Sequence, residues 1–305
     1  DSAYFDKRPK FLHYRPDTAV VTSMEFDHAD IYDDADDYRE AFEAFAGLVP
    51  ADGLLVLCGD DDRVRALASV TDARVRTYGL DAGTDVRAAN LQPTADGQAF
   101  DLIVDGTDRG TVALPMHGRY NVRNALAVAT VLLDRGHDAD AIRDGLSSFP
   151  GMKRRQEVRG EPGGVLVLDD FAHHPTAVSA TIDGIRRAYP DRRLVAVFEP
   201  RSNSSRRKVF EDAYGRALTG ADAAFLKAPP VRHNDDAGAM LDPEAVVRSL
   251  EASGTPARAF ADTPALHSAL VDALRSGDVA LLMSNGSFDG LPAHLVDALH
   301  RRSNG

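Results

Sequence analysis

VLVLDDFAHHPT, residues 165–176, carries the pattern on which the whole carboxyl half is built. An apolar run of strand length ends in two acids, and Pro175 takes the favoured first position of the helix that the following spacing predicts. The pattern recurs. LVAVFEP (194–200) leads to a helix near Arg206, and AAFLKAP (223–229) to one from Pro243. ARAFAD (257–262) leads to a helix from Pro264, and VALLMSNG (279–286) to a closing helix. Strands alternating with helices in this way predict an α/β domain of Rossmann-like, doubly wound and mostly parallel sheet. Ligands then bind outside the carboxyl ends of the strands.

The amino half alternates in the same style but less regularly. TAVVTSM (18–24) reads as a strand, 35–48 as a helix, and LLVLCGDDD (54–62) as a buried strand ending in an acidic loop. Residues 73–78, 100–104 and 110–115 read as strands, and 121–134 and 139–147 as helices. FPGMKRRQEVRGEPGG (149–164) shifts to Gly, Pro and charge. The domain boundary is placed at its start, giving 1–150 and 151–305.

At 305 residues the chain is long enough for two buried cores. The formal charge of −12 argues against duplex nucleic acid as a partner. Asp outnumbers Glu 38 to nine and only five basic residues are Lys, a bias that suits a GC-rich genome or a salt-rich cytoplasm. No apolar run is long enough for a membrane span and no signal peptide opens the chain. Cys58 is the single cysteine, which excludes an internal disulfide. These features point to the cytoplasm, and no obligate protein partner is read from them. The opening DSAYFDKRPKF lacks an initiator Met and is globular in composition, so the sequence reads as a fragment cut inside a domain.

The loops after the strands hold the candidate chemistry. In FDHADIYDD (26–34), His28 can offer a nitrogen to a metal or to a phosphate-bound water, oriented by Asp27; a helix cap with a solvated acidic turn is the alternative. In GRYNVRNALAVA (118–129), Asn121 and Asn124 stand at i, i+3, where paired amides can read a base edge, or serve as a cap plus a surface amide. Adjacent His173 and His174 suggest a metal, but neighbouring side chains diverge and no third ligand is near, so a capped helix start facing a nucleotide is preferred. In EPRSNSSRR (199–207), Arg201 and Arg206 can grip a carboxylate bidentately. MSNGSFDG (283–290) is a loop able to seat an anion, and Lys153, Arg154 and Arg155 form a basic cluster at the boundary.

In order along the chain, ExDH (25–28), GxxNxxNA (118–125), FxGxxRR (149–155), DDxAHHPT (169–176) and the SNG loop (284–286) resemble the Mur ligase family of ATP-dependent amide-forming ligases. The resemblance implies a central ATPase-type α/β domain, present in part, followed by the carboxyl-terminal acceptor-binding domain. It implies ATP and Mg2+, and a muramate carboxylate activated as an acyl phosphate before an amine attacks it. His28 would ligate magnesium, Asn121 and Asn124 would contact the adenine, Arg154 and Arg155 would reach the nucleotide, and Asp170 the ribose. His174 would face the reacting groups, so that His28, Arg155 and His174 form the catalytic set. Arg201, Ser202 and Asn203 would hold the incoming peptide, with Ser284 and Asn285 lining the same pocket.

FDKRPKFLHYRP (5–16), EPRSN and MSNGSFDG resemble the branch that joins L-alanyl-γ-D-glutamyl-meso-diaminopimelate to UDP-N-acetylmuramate in peptidoglycan recycling. The branch adding L-alanine usually has PHR at 200–202 and a GAGD-like loop at 284–286. A non-catalytic nucleotide- or muropeptide-binding module is the reading from another class. The sequence departs from the family in lacking GxxGKT, the Glu-rich magnesium segment and the UDP-gripping domain, with Ser23 in place of Asn and Tyr120 in place of His. This chain alone is therefore expected to be inactive, and its first domain to be weakly stable. A dehydrogenase is excluded, since no GxGxxG follows a strand.

Overall fold

The computed structural model describes residues 9–26, 32, 34–230 and 237–304. They form two compact units, Asp1–Pro150 and Gly151–Gly305.

The first unit runs β1 (Thr18–Val21), α1 (Ala35–Ala46), β2 (Leu54–Cys58), α2 (Asp62–Ala66) and β3 (Arg74–Gly79). It continues with β4 (Val86–Pro93), β5 (Gln98–Val104), β6 (Thr107–Leu114), α3 (Arg119–Asp134) and α4 (Ala139–Ser147). The sheet follows chain order from β1 to β6. Strands β1 to β4 pair in parallel, whereas β4, β5 and β6 are antiparallel. Every residue of β2 is buried, as a central parallel strand requires. Asp105 and Gly106, both at positive φ (48° and 78°), close the tight β5–β6 hairpin. Strand β4 was not legible from its sequence. Its inward face is only Val86 and Ala88, and Asn90 at φ 50° interrupts the alternation where the register shifts. Helix α3 begins at Arg119, so Asn121 lies within its first turn rather than starting it.

The second unit runs β7 (Glu157–Gly160), β8 (Leu166–Asp170), α5 (Pro175–Ala188), β9 (Leu194–Phe198) and α6 (Glu211–Leu218). Then come β10 (Ala223–Lys227), α7 (Pro243–Ala252), β11 (Ala257–Phe260), α8 (Thr263–Ala273), β12 (Val279–Met283) and α9 (Leu291–Asn304). The strand order is β11-β10-β9-β12-β8-β7, parallel except for β7 at the edge. Alternate strand residues face two separate cores. Leu166, Leu168, Ala196 and Leu281 pack with Val178, Ile182, Tyr214 and Val246 on one side. Val165, Val167, Val197 and Leu282 pack with Leu266, Leu270, Leu291 and Leu295 on the other. This is the doubly wound sheet that the repeating pattern predicts.

Two local features differ from expectation. Strand β7 lies inside the stretch read as a boundary, and the helix expected near Arg206 begins at Glu211. Arg206 is instead turned inward, its Nη1 donating to the carbonyl of Pro230 at 2.8 Å. The chain runs out from β8 to β9, β10 and β11, then returns to insert β12 between β9 and β8. The carboxyl ends of these three strands thus meet at a topological switch point, the usual place for a ligand in an open α/β sheet. Among the described residues no helix is long and apolar enough to cross a membrane.

Candidate functional site

Glu199 follows the last residue of β9 and is fully buried, with none of its surface exposed. A carboxylate in that position needs partners, because an unpaired buried charge is costly. Oε2 accepts from Ser284 Oγ at 2.5 Å and Oε1 from Lys227 Nζ at 2.9 Å, while Arg201 Nη1 stands 3.7 Å away. Lys227 ends β10 and bridges on to Asp289 Oδ2 at 2.6 Å, which also accepts from Thr263 Oγ1 at 2.6 Å. Burial alone would lower the Lys227 ammonium, but its hydrogen bonds to Asp289 and Glu199 outweigh burial and hold it above the usual lysine value. The same Lys227 bond, followed by the Thr263 hydroxyl, holds Asp289 below the usual carboxylate range.

Arg201 lies across the α-carbon of Gly286. A Cβ there would meet Arg201 Cδ at 2.2 Å and Nε at 2.5 Å, so the glycine is what lets the guanidinium cross the loop. Phe288 and Asp289 follow at φ 51° and 50°, a left-handed pair that non-glycine residues seldom adopt. The turn is secured by side chains, with Phe288 buried in the α8–α9 core and Asp289 tied to Lys227 and Thr263.

The basic segment leading into β7 is fastened to the same end of the sheet. Asp170, 2% exposed, accepts from Ala172 N at 2.7 Å and from Gln156 N at 2.8 Å. Phe171 N donates to the Arg154 carbonyl at 2.8 Å, and Arg154 and Gln156 sit at φ 58° and 54°. The Arg154 guanidinium donates to the carbonyls of Ser284 and Gly286, with Asp169 Oδ1 3.8 Å away. Both Arg154 and Arg155 stack on Phe171, at 5.2 and 4.9 Å from the ring centroid. Burial raises the pKa of both Asp169 and Asp170.

Three residues expected to touch ligands hold backbone in this structure. Ser284 is 1% exposed; its hydroxyl donates to Glu199 and accepts from Gly286 N at 2.9 Å, so it shapes the loop from beneath. Each oxygen of Asp170 accepts one main-chain N–H, and Arg154 is engaged by the 284–286 loop. Ser202 binds the Ser205 hydroxyl at 2.8 Å and accepts from Ser205 N at 3.0 Å, while Asn203 is exposed. Asn285 keeps a buried Oδ1 with no hydrogen-bond partner among the described residues, the kind of atom that a ligand donor can satisfy.

The adjacent histidines diverge. His173 Nδ1 pairs with the Phe171 carbonyl at 3.1 Å, whereas His174 stands at the N-cap position of α5 with its ring 5.6 Å from Phe210. Among the described residues no group of three His, Cys, Asp or Glu side chains is placed to hold a metal ion.

In the first unit, Asn121 is buried and donates from Nδ2 to the His117 carbonyl at 2.7 Å, whereas Asn124 is exposed. The two amides are thus differently engaged. Gln98 pins the same loop by donating to the Met116 and Gly118 carbonyls at 3.0 and 2.9 Å. Gly118 takes φ 91°, and a Cβ there would lie 2.7 Å from the Tyr120 ring. Arg123, between the two Asn, donates to Asp60 at 2.6 Å, and Asp60 accepts from Leu80 N at 2.8 Å and Asp81 N at 3.0 Å. Asp27 and His28 lie outside the described residues.

The sequence motifs do not mark Glu199, Lys227, Asp289, Gln98 or Asp60 as site residues. The available signal is a charge at the end of a buried strand or directly after it, as in FLK and VFE.

The two units, each with polar groups gathered at one end of a mostly parallel sheet, are α/β domains of the mostly parallel class. The sequence matches the Mur ligase middle domain over residues 3–132 and the Mur ligase, glutamate ligase domain over residues 154–286. The chain belongs to the Mur ligase family. It is 41% identical over 216 residues to the UDP-N-acetylmuramate–L-alanine ligase of Salinibacter ruber, covering 71% of this chain and 45% of that protein. It is 33% identical over 304 residues to the UDP-N-acetylmuramate–L-alanyl-γ-D-glutamyl-meso-2,6-diaminoheptandioate ligase of Escherichia coli K12, covering 99% of this chain and 64% of that one. The crystal structure of a murein peptide ligase from Psychrobacter arcticus superposes with a TM-score of 0.70 at 30% identity, covering 98% of this chain and 61% of that one. The chain thus spans less than two thirds of each relative.

Proposed function

We propose that this chain is the nucleotide- and acceptor-binding part of an ATP-dependent ligase that joins L-alanyl-γ-D-glutamyl-meso-diaminopimelate to UDP-N-acetylmuramate. The observation that carries the reading is Arg201, set at the switch point of an acceptor-type domain beside a Glu199–Lys227–Asp289 network anchored on the buried Glu199. A guanidinium there can bind a carboxylate of the incoming peptide.

In the reaction, a carboxylate oxygen of the muramate attacks the γ-phosphorus of ATP, and ADP leaves. The peptide amine then attacks the acyl carbon, loses a proton, and inorganic phosphate departs with the carboxyl oxygen. Activation is needed because a carboxylate is a poor electrophile. Arg155, stacked on Phe171, is assigned to phosphate charge, and His174 to the reacting end of α5. Arg201, Ser202, Asn203 and Asn285 are assigned to the acceptor, and Asn121 and Asn124 to the nucleotide end of the first unit. His28 remains the residue assigned to magnesium. The described residues offer that ion no ligand set, so no step is routed through it.

A second reading, L-alanine as acceptor, is favoured by the higher identity to an L-alanine-adding relative. The loops at 199–203 and 283–290 support the first. The test is ATP-dependent phosphate release by the full-length protein with UDP-N-acetylmuramate and either acceptor. Release with the tripeptide alone supports the first reading. Release with L-alanine alone replaces it with the second, and silence with both favours a binding module.

A further inference from the structure

The loop 284–286, leaving β12 at the switch point, is fixed from several directions. Ser284 N donates to the Asp170 carbonyl at 3.0 Å. The Ser284 hydroxyl lies between Glu199 Oε2, at 2.5 Å, and Gly286 N, at 2.9 Å. The Arg154 guanidinium donates to the carbonyls of both Ser284 and Gly286. Both neighbours of Asn285 are thus fastened, and the Glu199 carboxylate that anchors them is fully buried. Asn285 differs from them. Its Oδ1 is buried, yet among the described residues it has no hydrogen-bond partner. A carbonyl oxygen taken from water without a donor loses its hydration and gains nothing in return. Such an atom calls for a partner, and an amide oxygen accepts, so the partner must be a donor.

We propose that Asn285 is a specificity residue of the acceptor site: its Oδ1 accepts a hydrogen bond from an N–H group of the amine-bearing substrate, on a loop already set by Glu199, Ser284 and Arg154. The inference rests on the reading of this loop as part of the acceptor site. An amine or peptide N–H satisfies the amide oxygen. A carboxylate or phosphate oxygen brought to the same place leaves two acceptors facing each other, so the atom selects by the sign of its partner. Because the loop is held before binding, little of it has to be ordered when the substrate arrives. The arrangement also implies a trade-off. The amide makes no bond through Oδ1 within the unliganded protein, so its removal should weaken acceptor binding without weakening the fold. Asn285 does not stand at positive φ, and replacing it adds no backbone strain.

Two measurements on the full-length protein test it: steady-state phosphate release, with ATP, UDP-N-acetylmuramate and the acceptor varied in turn, and thermal unfolding without ligands. Asn285→Ala is expected to raise the acceptor KM about fivefold or more, with the other two KM values moving less than about twofold. Its unliganded midpoint is expected to stay within about 2 °C of wild type or to rise. Asn285→Asp keeps acceptor oxygens at this position and drops the amide donors, so its acceptor KM is expected to lie nearer wild type than that of Asn285→Ala. An unchanged acceptor KM in Asn285→Ala overturns the proposal. A midpoint that falls further than that, or a variant that does not fold, also overturns it, because the amide would then be structural. Asn285→Asp as impaired as Asn285→Ala overturns it as well, since the contact would then belong to Nδ2. Wild type silent with both tripeptide and L-alanine would sink the functional reading instead, so the two failures are distinct.

Discussion

Arg154 donates from its guanidinium to the main-chain carbonyl of Ser284, 130 residues further along the chain. A second bond from the same nitrogen reaches the Gly286 carbonyl, and the flat group is backed by Phe171. One side chain thus fastens the segment entering β7 to the loop leaving β12. Arg155, its neighbour, stacks on the same ring but stays exposed.

The pair should therefore separate stability from catalysis. Arg154→Ala leaves two carbonyls short of a charged donor, and hydrogen bonds of that kind are worth about 1.5–3 kcal/mol before solvent makes up part of the loss. We expect a loss of about 1–2 kcal/mol in the second unit, seen as a lower urea midpoint. Arg155→Ala should leave the midpoint in place and lower turnover. Equal midpoints for both variants would mean that the Arg154 bonds carry no net stability.

Gly286→Ala separates the two properties differently. The added methyl meets the far end of a flexible arginine rather than backbone, so the fold can absorb it at a cost within about 1 kcal/mol. Arg201 must move aside to do so. The acceptor KM is expected to rise about tenfold while ATP KM and the thermal midpoint hold. A large fall in the midpoint with unchanged acceptor KM would show the crossing of Arg201 over Gly286 to be incidental.

These variants also mark what the sequence could show. Strands β8, β9, β10 and β12 were legible because burial on both faces demands nearly unbroken apolar runs, and Leu194–Phe198 is such a run. Strand β7 was not, because an edge strand with Val158 exposed and a closing glycine looks like a loop. Motifs located Arg201 and the 284–286 loop. They could not tell whether a polar side chain at a strand end faces a ligand or its own backbone. Ser284 and Asp170 are both buried against main-chain N–H groups, and only packing reveals it. The Lys227 bonds to Glu199 and Asp289 span 28 and 62 residues, and no local pattern encodes them.

Asn121 and Asn124, one helical turn apart, should answer mutation in opposite ways. Asn121→Ala removes a buried amide from the His117 carbonyl and should cost about 1 kcal/mol or more, by thermal or urea unfolding. Asn124→Ala, at an exposed position, should leave stability within about 0.5 kcal/mol and raise the KM for ATP. An Asn124 variant with unaltered ATP KM would remove that residue from the nucleotide end.

The loop that Asn121 and Gln98 hold should also make the first unit sensitive to mild acid. Burial pushes the His117 imidazole below its usual value, and the hydrogen bond to Gly97 and the charge of Asp96 offset this only in part. The fold therefore favours the neutral ring, while the unfolded chain binds a proton near pH 6.5. Between the two values the unfolded state holds more protons, so stability rises with pH there. The His117 contribution should be complete above about pH 6.5 and be lost as pH falls through the lowered folded value. Amide hydrogen exchange in β5 and α3 should show opening becoming easier between pH 7.5 and 5.5, after correction for intrinsic exchange rates. His117→Gln keeps an amide donor for Gly97 but cannot titrate, and should flatten that slope. Parallel slopes in wild type and His117→Gln would mean that the acid sensitivity of this unit arises elsewhere.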